Sequence, residues 1–421
     1  HHSLLSAVTG MAFRQGAYED VPIHLVLPLA WYGQGIMGAA AVGSALVERA
    51  SSGRGQGVTV SGLHGMSEVT GPVRVLEGPQ LPRGAPLGAT PSYRLYQCAD
   101  GQWFFLGTLF INFYRLAIET LGFGHLLAEF IGDPFFAREA FQQIFLTRPR
   151  AEWLEILQNA GVPCAPVAPR DAWFSSALIA EAGLRKTFEH ASLGPVSIPD
   201  TPLKLSATPG AVRGLACEVE AVDWNPRPAV EVPSARPRAA PLAGIRVLDL
   251  GTVIAGAHAG GILANLGADV IKIEPAEGDP FRSYGGGFLA YSRGKRGLGI
   301  DLKQPKAREL FFDLVRGADV VLDNYRHGVR DRLGIGYEAL KAINPRIISC
   351  SINAYGKTGS RADRPGFDPL LQAEGGMMAA QGGAEEPILH TIPVNDVATA
   401  AMVAFGVVTA LNARDRTGEG Q

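Results

Sequence analysis

The sequence has few cysteines, and they lie far apart. Cys98, Cys164, Cys217 and Cys350 are the four in 421 residues, and no CxxC pair occurs. This spacing argues against a disulfide framework and a zinc site, so we expect no metal and a reducing, cytoplasmic environment. The chain also lacks an apolar run of about 18 residues and a signal peptide, so we expect no membrane association.

An excess of charge of either sign is missing as well. The 38 basic and 40 acidic residues leave a net charge of −2, which excludes the basic field that recruits nucleic acid. A polyanionic ligand would therefore have to meet a local basic patch. Hydrophobic residues make up 47% of the chain and charged residues 19%, a composition that suits two or three globular domains.

The end of the chain resembles its beginning. Residues 28–56 and 393–421 are identical at ten of 29 positions, and residues 4–16 resemble 370–382. The offset is 366 residues for the second pair and 365 for the first. A long repeat seen once predicts two homologous copies in tandem. Because no initiator Met is present, we expect tag residues at the start or a fragment of a longer two-copy protein, with circular permutation as the alternative.

Local patterns divide the chain into four regions. Residues 1–75 are interpreted as the returning helical segment of a preceding copy. Residues 76–225 are predicted to form a small α+β domain, because two alternating runs flank the turn pair Asp100-Gly101. The proline-rich stretch 226–240 is predicted to be a linker. Strands and helices alternate over 241–421, which predicts a Rossmann-like, doubly wound parallel sheet.

Three stretches of the last region could carry binding chemistry. The first β–α turn, 251–261, is glycine-rich but is not G-x-G-x-x-G, so a dinucleotide site with Glu274 on the ribose is weakly supported against simple close packing. Basic residues fill 291–303 and 323–334. These loops could hold phosphates at the carboxyl edge of the sheet, or they could be solvated charged surface.

Asp396 stands just ahead of a long apolar stretch. An acid in this place is often a helix N-cap. The alternative is a carboxylate nucleophile near a helix N-terminus. The repeat bears on the choice, because the matching residue in the first copy is Trp31, which can do neither. One active and one degenerate site would produce this difference.

Several motifs together resemble the class III CoA-transferases, the family of formyl-CoA and carnitine CoA-transferases. They are "PLAGIRVLDL", "LGADVIKIEP", "ADVVLDNYRHGVRDRLGIGYEAL", "PGFDPLLQAEGG" and "TALNARDRTGEGQ", in family order over 241–421. Residues 1–225 resemble the family's C-terminal half, for example in "YQCADGQWFFLG". The resemblance implies a Rossmann-like domain plus a smaller α+β domain in a family of interlocked dimers. We therefore expect a homodimer, or a pseudo-dimer with the other copy.

The resemblance also implies a reaction. Coenzyme A would move between an acyl-CoA and a carboxylic acid through an aspartyl anhydride and an aspartyl-CoA thioester, with CoA as substrate and no permanently bound cofactor. The family's catalytic aspartate corresponds to Asp396. The residues expected at CoA are Val253, Ile254 and Ala255 at the adenosine half, Asn324, Tyr325 and Arg332 at the nucleotide and phosphates, and Arg293, Lys295 and Arg364 as further candidates.

Two other classes of function stay open. The family's racemase branch carries a proton-transferring His where this chain has Phe367, which argues against α-methylacyl-CoA racemization. An isomerase or lyase acting on acyl-CoA is nevertheless an alternative, and so is a non-catalytic CoA-binding half. The donor and acceptor acids cannot be read from the sequence.

Overall fold

The computed structural model describes residues 2–19, 21–70, 83–216, 238–383 and 386–421. The chain forms two compact units, and each is discontinuous in sequence. Unit 1 contains residues 1–34, 61–178 and 353–398, and unit 2 contains 35–60, 179–352 and 399–421. Most of the predicted linker, 226–240, lies outside the described residues.

The strands in the described part of the chain form three sheets. One has three strands in the order β1-β2-β3, one has five in the order β10-β9-β6-β7-β8, and one is the hairpin β4-β5. Their bounds are β1 (Tyr93–Gln97), β2 (Trp103–Gly107), β3 (Cys164–Pro166), β4 (Arg185–His190), β5 (Gly194–Pro199), β6 (Arg246–Asp249), β7 (Asp269–Glu274), β8 (Arg296–Gly299), β9 (Val320–Asp323) and β10 (Ile348–Ser351).

The α-helices of the described ranges vary from single turns to 24 residues. They are α1 (His2–Val8), α2 (Met11–Arg14), α3 (Leu29–Ser52), α4 (Gly62–Thr70), α5 (Ile111–Thr120), α6 (Leu127–Gly132), α7 (Pro134–Phe145), α8 (Arg150–Asn159), α9 (Arg170–Phe174), α10 (Ala177–Glu181), α11 (Ala255–Asn265), α12 (Gly286–Tyr291), α13 (Pro305–Arg316), α14 (Val329–Arg332), α15 (Tyr337–Ile343), α16 (Asp368–Glu374), α17 (Met377–Gly382) and α18 (Val394–Thr417).

The five-stranded sheet of unit 2 is parallel throughout. Its order means that the chain builds outward from β6 through β7 to β8, and then crosses back to add β9 and β10 on the other side. The order therefore reverses between β6 and β9. In open parallel sheets such a switch point, at the carboxyl ends of the strands, is where ligands usually bind. The predicted parallel sheet over 241–421 is confirmed.

Both faces of this sheet are covered, because neighbouring residues of a strand point to opposite sides. Val247 and Val320 belong to a buried cluster that also contains Ile262 of α11. Leu248 and Val321 belong to another buried cluster, formed largely with residues of α13 and α15: Phe311, Val315 and Leu340. Near-continuous apolar strands such as β9, buried at all four positions, are typical of a parallel sheet with two covered faces.

Helix α18 is apolar and long enough to cross a membrane by length and composition alone, and 61% of its most apolar window is buried inside the structure. In unit 2, Ala404, Val408 and Leu411 of this helix lie in the same buried cluster as Val247 of the sheet. These are the surroundings of a core helix.

Unit 1 contains the three-stranded antiparallel sheet and its helices. The hairpin predicted around Asp100-Gly101 is present, with Gln97 paired to Trp103 and Gly101 at a φ of 74°. Its aromatic residues enter a buried cluster with α7, where Phe104 and Phe145 meet edge to face at 4.8 Å. The two units therefore group the chain differently from the linear boundaries at 75, 225 and 240, which stay a prediction.

The first three helices repeat the last three. Helices α1, α2 and α3 begin at residues 2, 11 and 29, while α16, α17 and α18 begin at residues 368, 377 and 394. These are the offsets of 366 and 365 that relate the two sequence segments. The long helices α3 and α18 each have 24 residues, so they also end at matching positions. The sequence repeat is thus a repeat of structure.

The repeated segments of unit 1 bind each other through their glutamines. Buried Gln15, which follows α2, donates from Nε2 to the carbonyl of Leu389 at 2.8 Å. Its Oε1 accepts the backbone N–H of Thr391 at 3.1 Å. One amide side chain from the first segment therefore binds a backbone carbonyl and a backbone N–H of the second segment.

The matching glutamine makes the matching bonds in the opposite direction. Gln381 donates to the carbonyl of His24 at 2.9 Å and accepts the N–H of Val26 at 3.1 Å. Gln381 corresponds to Gln15, and His24 and Val26 correspond to the two residues that Gln15 holds. Such a reciprocal exchange is the signature of an isologous, two-fold interface, formed here within one chain.

The same relation holds for α3 and α18 in unit 2. Gly43 corresponds to Val408, and a Cβ added at Gly43 would lie 2.4 Å from Val408 Cγ2. The two helices therefore touch at equivalent positions, and glycine permits the close approach. Asn412 of α18 adds a hydrogen bond to the Gly43 carbonyl at 2.9 Å.

Candidate active site

Two acids of unit 1 meet at the start of α18. Asp396 is in the first turn of this helix, and Asp368 is the first residue of α16. Asp368 Oδ1 accepts the backbone N–H groups of Asn395 at 2.6 Å and of Asp396 at 3.3 Å. Two of the N–H groups that a helix N-terminus leaves unpaired are thus bound by an acid from another helix.

This arrangement corrects one interpretation of Asp396. An N-cap would stand before the helix and bind its N–H groups, but α18 already begins at Val394. Asp368 performs the capping. Among the described residues the Asp396 carboxyl makes no hydrogen bond, so its oxygens are available to interact with a substrate.

Helix α16 also fixes the backbone that leads into α18. Gln372 lies one turn after Asp368, on the same face of the helix. Its Nε2 donates to Asp368 Oδ2 at 2.5 Å and to the carbonyl of Ile392 at 3.2 Å. Its Oε1 accepts the N–H of His390 at 3.0 Å. The turn containing Asp396 is therefore tied to α16 at several points.

Burial changes the acidity of both carboxyl groups. Loss of water raises the pKa of Asp368 to about 6, although its hydrogen bonds from Asn395, Gln372 and Asp396 act in the opposite direction. Desolvation, followed by the nearby charge of Asp368, raises the pKa of Asp396 well above its ordinary value. A carboxylate with a raised pKa is a stronger base and a better nucleophile once it is ionised.

Phe367, the residue before Asp368, is packed among rings. Its ring centroid lies 5.9 Å from that of Phe110 and 6.0 Å from that of Phe113. No proton carrier occupies this position, in line with the argument against a racemase.

The predicted CoA-binding loops meet at the switch point of the unit 2 sheet. The loop after β6 contains Thr252 and Val253, and the loop after β9 contains Asn324. Asn324 Oδ1 accepts the N–H of Thr252 at 2.9 Å, and its Nδ2 donates to the Thr252 carbonyl at 2.9 Å. The side chain of Asn324 therefore supports the first loop, and Tyr325 follows it directly along the chain.

The first loop is held in an unusual conformation. Val253 has a φ of 61°, which is sterically costly for a β-branched residue. Strain of this kind is most often found where a loop is shaped to meet a ligand. Gly251 and Gly256 allow the turn to close, since a Cβ on Gly251 would lie 2.4 Å from the Gly256 carbonyl carbon.

Buried ion pairs support this loop from below. Lys272 Nζ donates to the Gly251 carbonyl at 2.7 Å and to Asp279 Oδ2 at 2.8 Å. Lys295 Nζ donates to Asp249 Oδ2 at 2.8 Å, and only 2% of its side chain is exposed. Burial lowers the pKa of Lys295, while the charge of Asp249 raises it. Lys295 is therefore engaged in supporting the loop, and its assignment to phosphate stays a prediction.

The remaining candidates are placed as follows. Ile254 and Ala255 are half-buried and join the loop to α11, and burial raises the pKa of Tyr325 to about 12. Arg332 is exposed at the end of α14, and Arg293 donates to the Ala290 carbonyl at 2.7 Å.

Asp396 and Arg364 belong to unit 1, where Arg364 donates to Gln158 Oε1 at 2.6 Å. The other candidates belong to unit 2. Their roles toward CoA stay predictions.

Some supporting residues were not identified from the sequence. Lys272 interrupts the apolar strand "VIKI", and Asp249 ends "RVLD". A charge inside an apolar strand is a usable signal, because it must be paired when buried. Glu274, considered as a ribose ligand, instead binds Arg282 through two atoms and accepts the N–H of Asp279 at 2.7 Å. Asp368 was within a quoted motif but was assigned no role.

Comparison with known proteins gives a consistent result. The curated relatives include a succinyl-CoA:mesaconate CoA-transferase of Haloarcula hispanica, 41% identical over 194 residues, which are 42% of this chain and 49% of the relative. A succinate–glutarate CoA-transferase of Agrobacterium fabrum is 38% identical over 207 residues, 45% of this chain and 51% of the relative. The chain spans about half the length of the curated relatives it matches.

Solved structures include a CaiB/BaiF family protein from Brucella suis. It is 39% identical to this chain over the matched region. The match covers 44% of this chain and 52% of that protein, and the TM-score is 0.43. The family comparison reaches further along the chain, because the profile of CoA-transferase family III matches residues 1–219 and 242–421. The chain therefore belongs to CoA-transferase family III.

Proposed function

We propose that the chain transfers coenzyme A between an acyl-CoA and a carboxylic acid, with Asp396 as the nucleophile. The observation that carries this proposal is the geometry at the start of α18. Asp368 occupies the capping position, the Asp396 carboxyl is left without a hydrogen bond among the described residues, and its surroundings raise its pKa. A desolvated carboxylate of this kind is suited to attack a thioester.

The transfer proceeds in balanced steps. The ionised Asp396 carboxylate attacks the thioester carbonyl, the C–S bond breaks, and CoA leaves as a thiolate with the electron pair. The thiolate then attacks the aspartyl carbonyl of the mixed anhydride and expels the donor carboxylate, which leaves an aspartyl-CoA thioester. The acceptor carboxylate attacks the carbonyl of this thioester, the C–S bond breaks, and a second mixed anhydride forms with Asp396. The released thiolate attacks the acceptor carbonyl of that anhydride, and the bond from this carbonyl to the Asp396 oxygen breaks. Asp396 is regenerated, and no proton is gained or lost overall.

The loops at the switch point of unit 2 are the proposed CoA-binding surface. In this proposal Val253, Ile254 and Ala255 contact the adenosine half, while Asn324 shapes the loop beside them. Support comes from the strained Val253 and from the two hydrogen bonds between Asn324 and Thr252. Arg293, Arg332 and Arg364 remain proposed phosphate contacts.

The loop assignment can be tested with a matched pair of asparagines. Asn324→Ala should weaken CoA binding by roughly tenfold, about 1.4 kcal/mol, because the loop loses both bonds. Asn344→Ala is the control, since Asn344 also binds two backbone carbonyls, of Val315 and Ala318, ahead of β9. Titration calorimetry with CoA should show unchanged affinity for the control. Equal affinity in both variants would contradict the assignment.

We further propose that the repeated helices are parts of two homologous copies arranged as an internal pseudo-dimer. The reciprocal bonds of Gln15 and Gln381 support this, as do the matching helix bounds. Only the second copy would be catalytically competent, because the first copy has Trp31 at the position that matches Asp396. Contacts that a second subunit makes in the family's dimers would then be made in part within this one chain. We propose that the enzyme is cytoplasmic.

The reaction can be tested directly with succinyl-CoA, because the names of the curated relatives described above include succinyl-CoA or succinate. Labelled CoA should pass from succinyl-CoA to members of a panel of carboxylic acids. Hydroxylamine should trap the intermediate as an Asp396 hydroxamate visible by peptide mass spectrometry. A racemase or lyase would act on acyl-CoA without this adduct. A non-catalytic half would bind CoA and form no product.

A further inference from the structure

Asp368 is one of the most confined acids of unit 1. Only 4% of it is exposed, yet both of its carboxylate oxygens are hydrogen bonded. Oδ1 accepts the N–H groups of Asn395 and Asp396, and Oδ2 accepts Gln372 Nε2. An ionised carboxylate accepts hydrogen bonds only, so three N–H donors match the ionised form of this side chain.

Helices α16 and α18 each donate or accept hydrogen bonds from the other, through Asp368 and Asn395. Asn395 Nδ2 donates to the backbone carbonyl of Asp368 at 3.2 Å, so the two residues bind each other. Gln372 cannot turn its amide to serve a different partner, because its Oε1 accepts the His390 N–H while its Nε2 donates to the carbonyl of Ile392. The donor that faces Asp368 is thus fixed.

We propose that Asp368 is the positioning residue of the nucleophile: it clamps the first turn of α18 and places a negative charge beside the Asp396 carboxylate. The proposal rests on the proposed role of Asp396 in CoA transfer. The clamp holds the attacking oxygen in place, which saves the entropy of orienting it. The charge keeps the electrons of that oxygen more available for attack on the thioester.

A merely structural cap would bind the same N–H groups without affecting the chemistry. The two roles separate because a structural cap needs only an acceptor, whereas the proposed role needs an acceptor and a charge. In the described part of the chain, Asp368 on α16 is the ionisable group whose charge acts on Asp396. Asn395 and Gln372 are neutral, and the ring of His390 faces the Met377 carbonyl, where burial lowers its pKa to about 4.

The test uses Asp368→Asn, which keeps one acceptor and removes the charge. Its new NH₂ would face the Gln372 donor, so Asp368→Ala serves as a second variant without that conflict. Glu374→Gln is the matched control, because Glu374 is also a buried acid of α16, paired with Arg361. For each protein we would measure single-turnover formation of the Asp396 adduct from succinyl-CoA across pH, and amide exchange over residues 393–398 by mass spectrometry.

Asp368→Asn should slow adduct formation at saturating succinyl-CoA by about 10- to 100-fold, and should move the acidic limb of the pH profile to lower pH. Asp368→Ala should do the same and also speed amide exchange at Asn395 and Asp396. The control should leave profile and exchange unchanged. Adduct formation by both Asp368 variants within about twofold of the unmodified protein, with an unmoved pH profile, would overturn the positioning role.

The failure of the underlying function would look different. If the unmodified protein forms no adduct on Asp396, then CoA transfer by this residue is refuted and its positioning with it. Faster amide exchange in Asp368→Ala would in that case show that the clamp is structural only.

Discussion

The two repeated segments of unit 1 place different side chains at matching positions. Helices α16 and α18 bring Asp368 and Asp396 together. At the matching positions, α1 and α3 bring His2 and Trp31 together, with ring centroids 6.4 Å apart. His2 also contacts the Leu25 carbonyl, at 3.2 Å. An acid pair in one copy is thus replaced by a ring pair in the other.

The reciprocal glutamines are kept in both copies while the acids are kept in one. Gln15 and Gln381 contribute to holding the repeated segments together, and losing either would remove one hydrogen bond to a carbonyl and one from an N–H of the other segment. The acids contribute differently, because two carboxylates in one place repel each other and each is costly to bury. Under the proposed function, the segment that carries Trp31 has no need of an acid pair. The comparison therefore separates residues that serve the interface from residues that serve the reaction.

The largest effect on CoA transfer should come from replacing Asp396 by alanine, with the matching residue Trp31 as the comparison. Asp396→Ala should reduce CoA transfer from succinyl-CoA by at least about 1,000-fold, because the covalent route is lost. Trp31→Ala should leave transfer within about twofold, since Trp31 is 55% exposed and is no part of the proposed chemistry. A similar loss in both variants would refute the assignment of one competent copy.

The two glutamines should contribute to stability according to their burial. Gln15→Leu should lower the free energy of unfolding by about 1–3 kcal/mol, because it leaves a part-buried carbonyl and a part-buried N–H unpaired. Gln381→Leu should cost less, because water can reach the groups that it leaves unpaired. Urea denaturation followed by circular dichroism would measure this. No cost for Gln15→Leu, or a larger cost for Gln381→Leu than for Gln15→Leu, would contradict this ranking. Gln34→Leu, in α3, is a control outside this exchange.

A smaller, pH-dependent effect should distinguish the acid pair from the ring pair. Because the folded protein raises the pKa of Asp396, ionising this group destabilises the native state, and stability falls as pH rises above the unfolded value of about 3.9. Asp396→Asn should therefore raise Tm at pH 8 by a few degrees and should not raise it at pH 4. Trp31→Phe should change Tm by the same amount at both values. Thermal scans of both variants would check this.

Much of this picture is readable from local sequence patterns. The parallel sheet follows from alternating apolar strands and amphipathic helices, and the hairpin follows from Asp100-Gly101. The repeat offsets fix the matching of α3 and α18 before any coordinates are known. The importance of Asp368 could not be predicted, because α18 is capped from another helix, by a residue 27 positions before Asn395. Local rules instead offered an N-cap of its own helix as one role for Asp396.

The support of the Val253 loop was equally beyond sequence rules. Lys272 and Asp279 flank the end of β7 and Asn324 follows β9, and the order of the sheet brings these two stretches to one edge. Pairing of buried charges depends on distances that no local pattern encodes.

The reciprocal glutamines also bear on the order in which the protein is made. Gln15 must wait for Leu389, 374 residues later in the chain. At a synthesis rate of about 5–20 residues per second, the first segment remains without its partner for roughly 20 to 75 s. Unit 1 therefore cannot be completed until residues 353–398, which follow the strands of unit 2 in the chain, have been synthesised. Its first helices expose Leu4, Val8 and Phe13 even in the finished fold, so this apolar surface stays open to other chains during that interval.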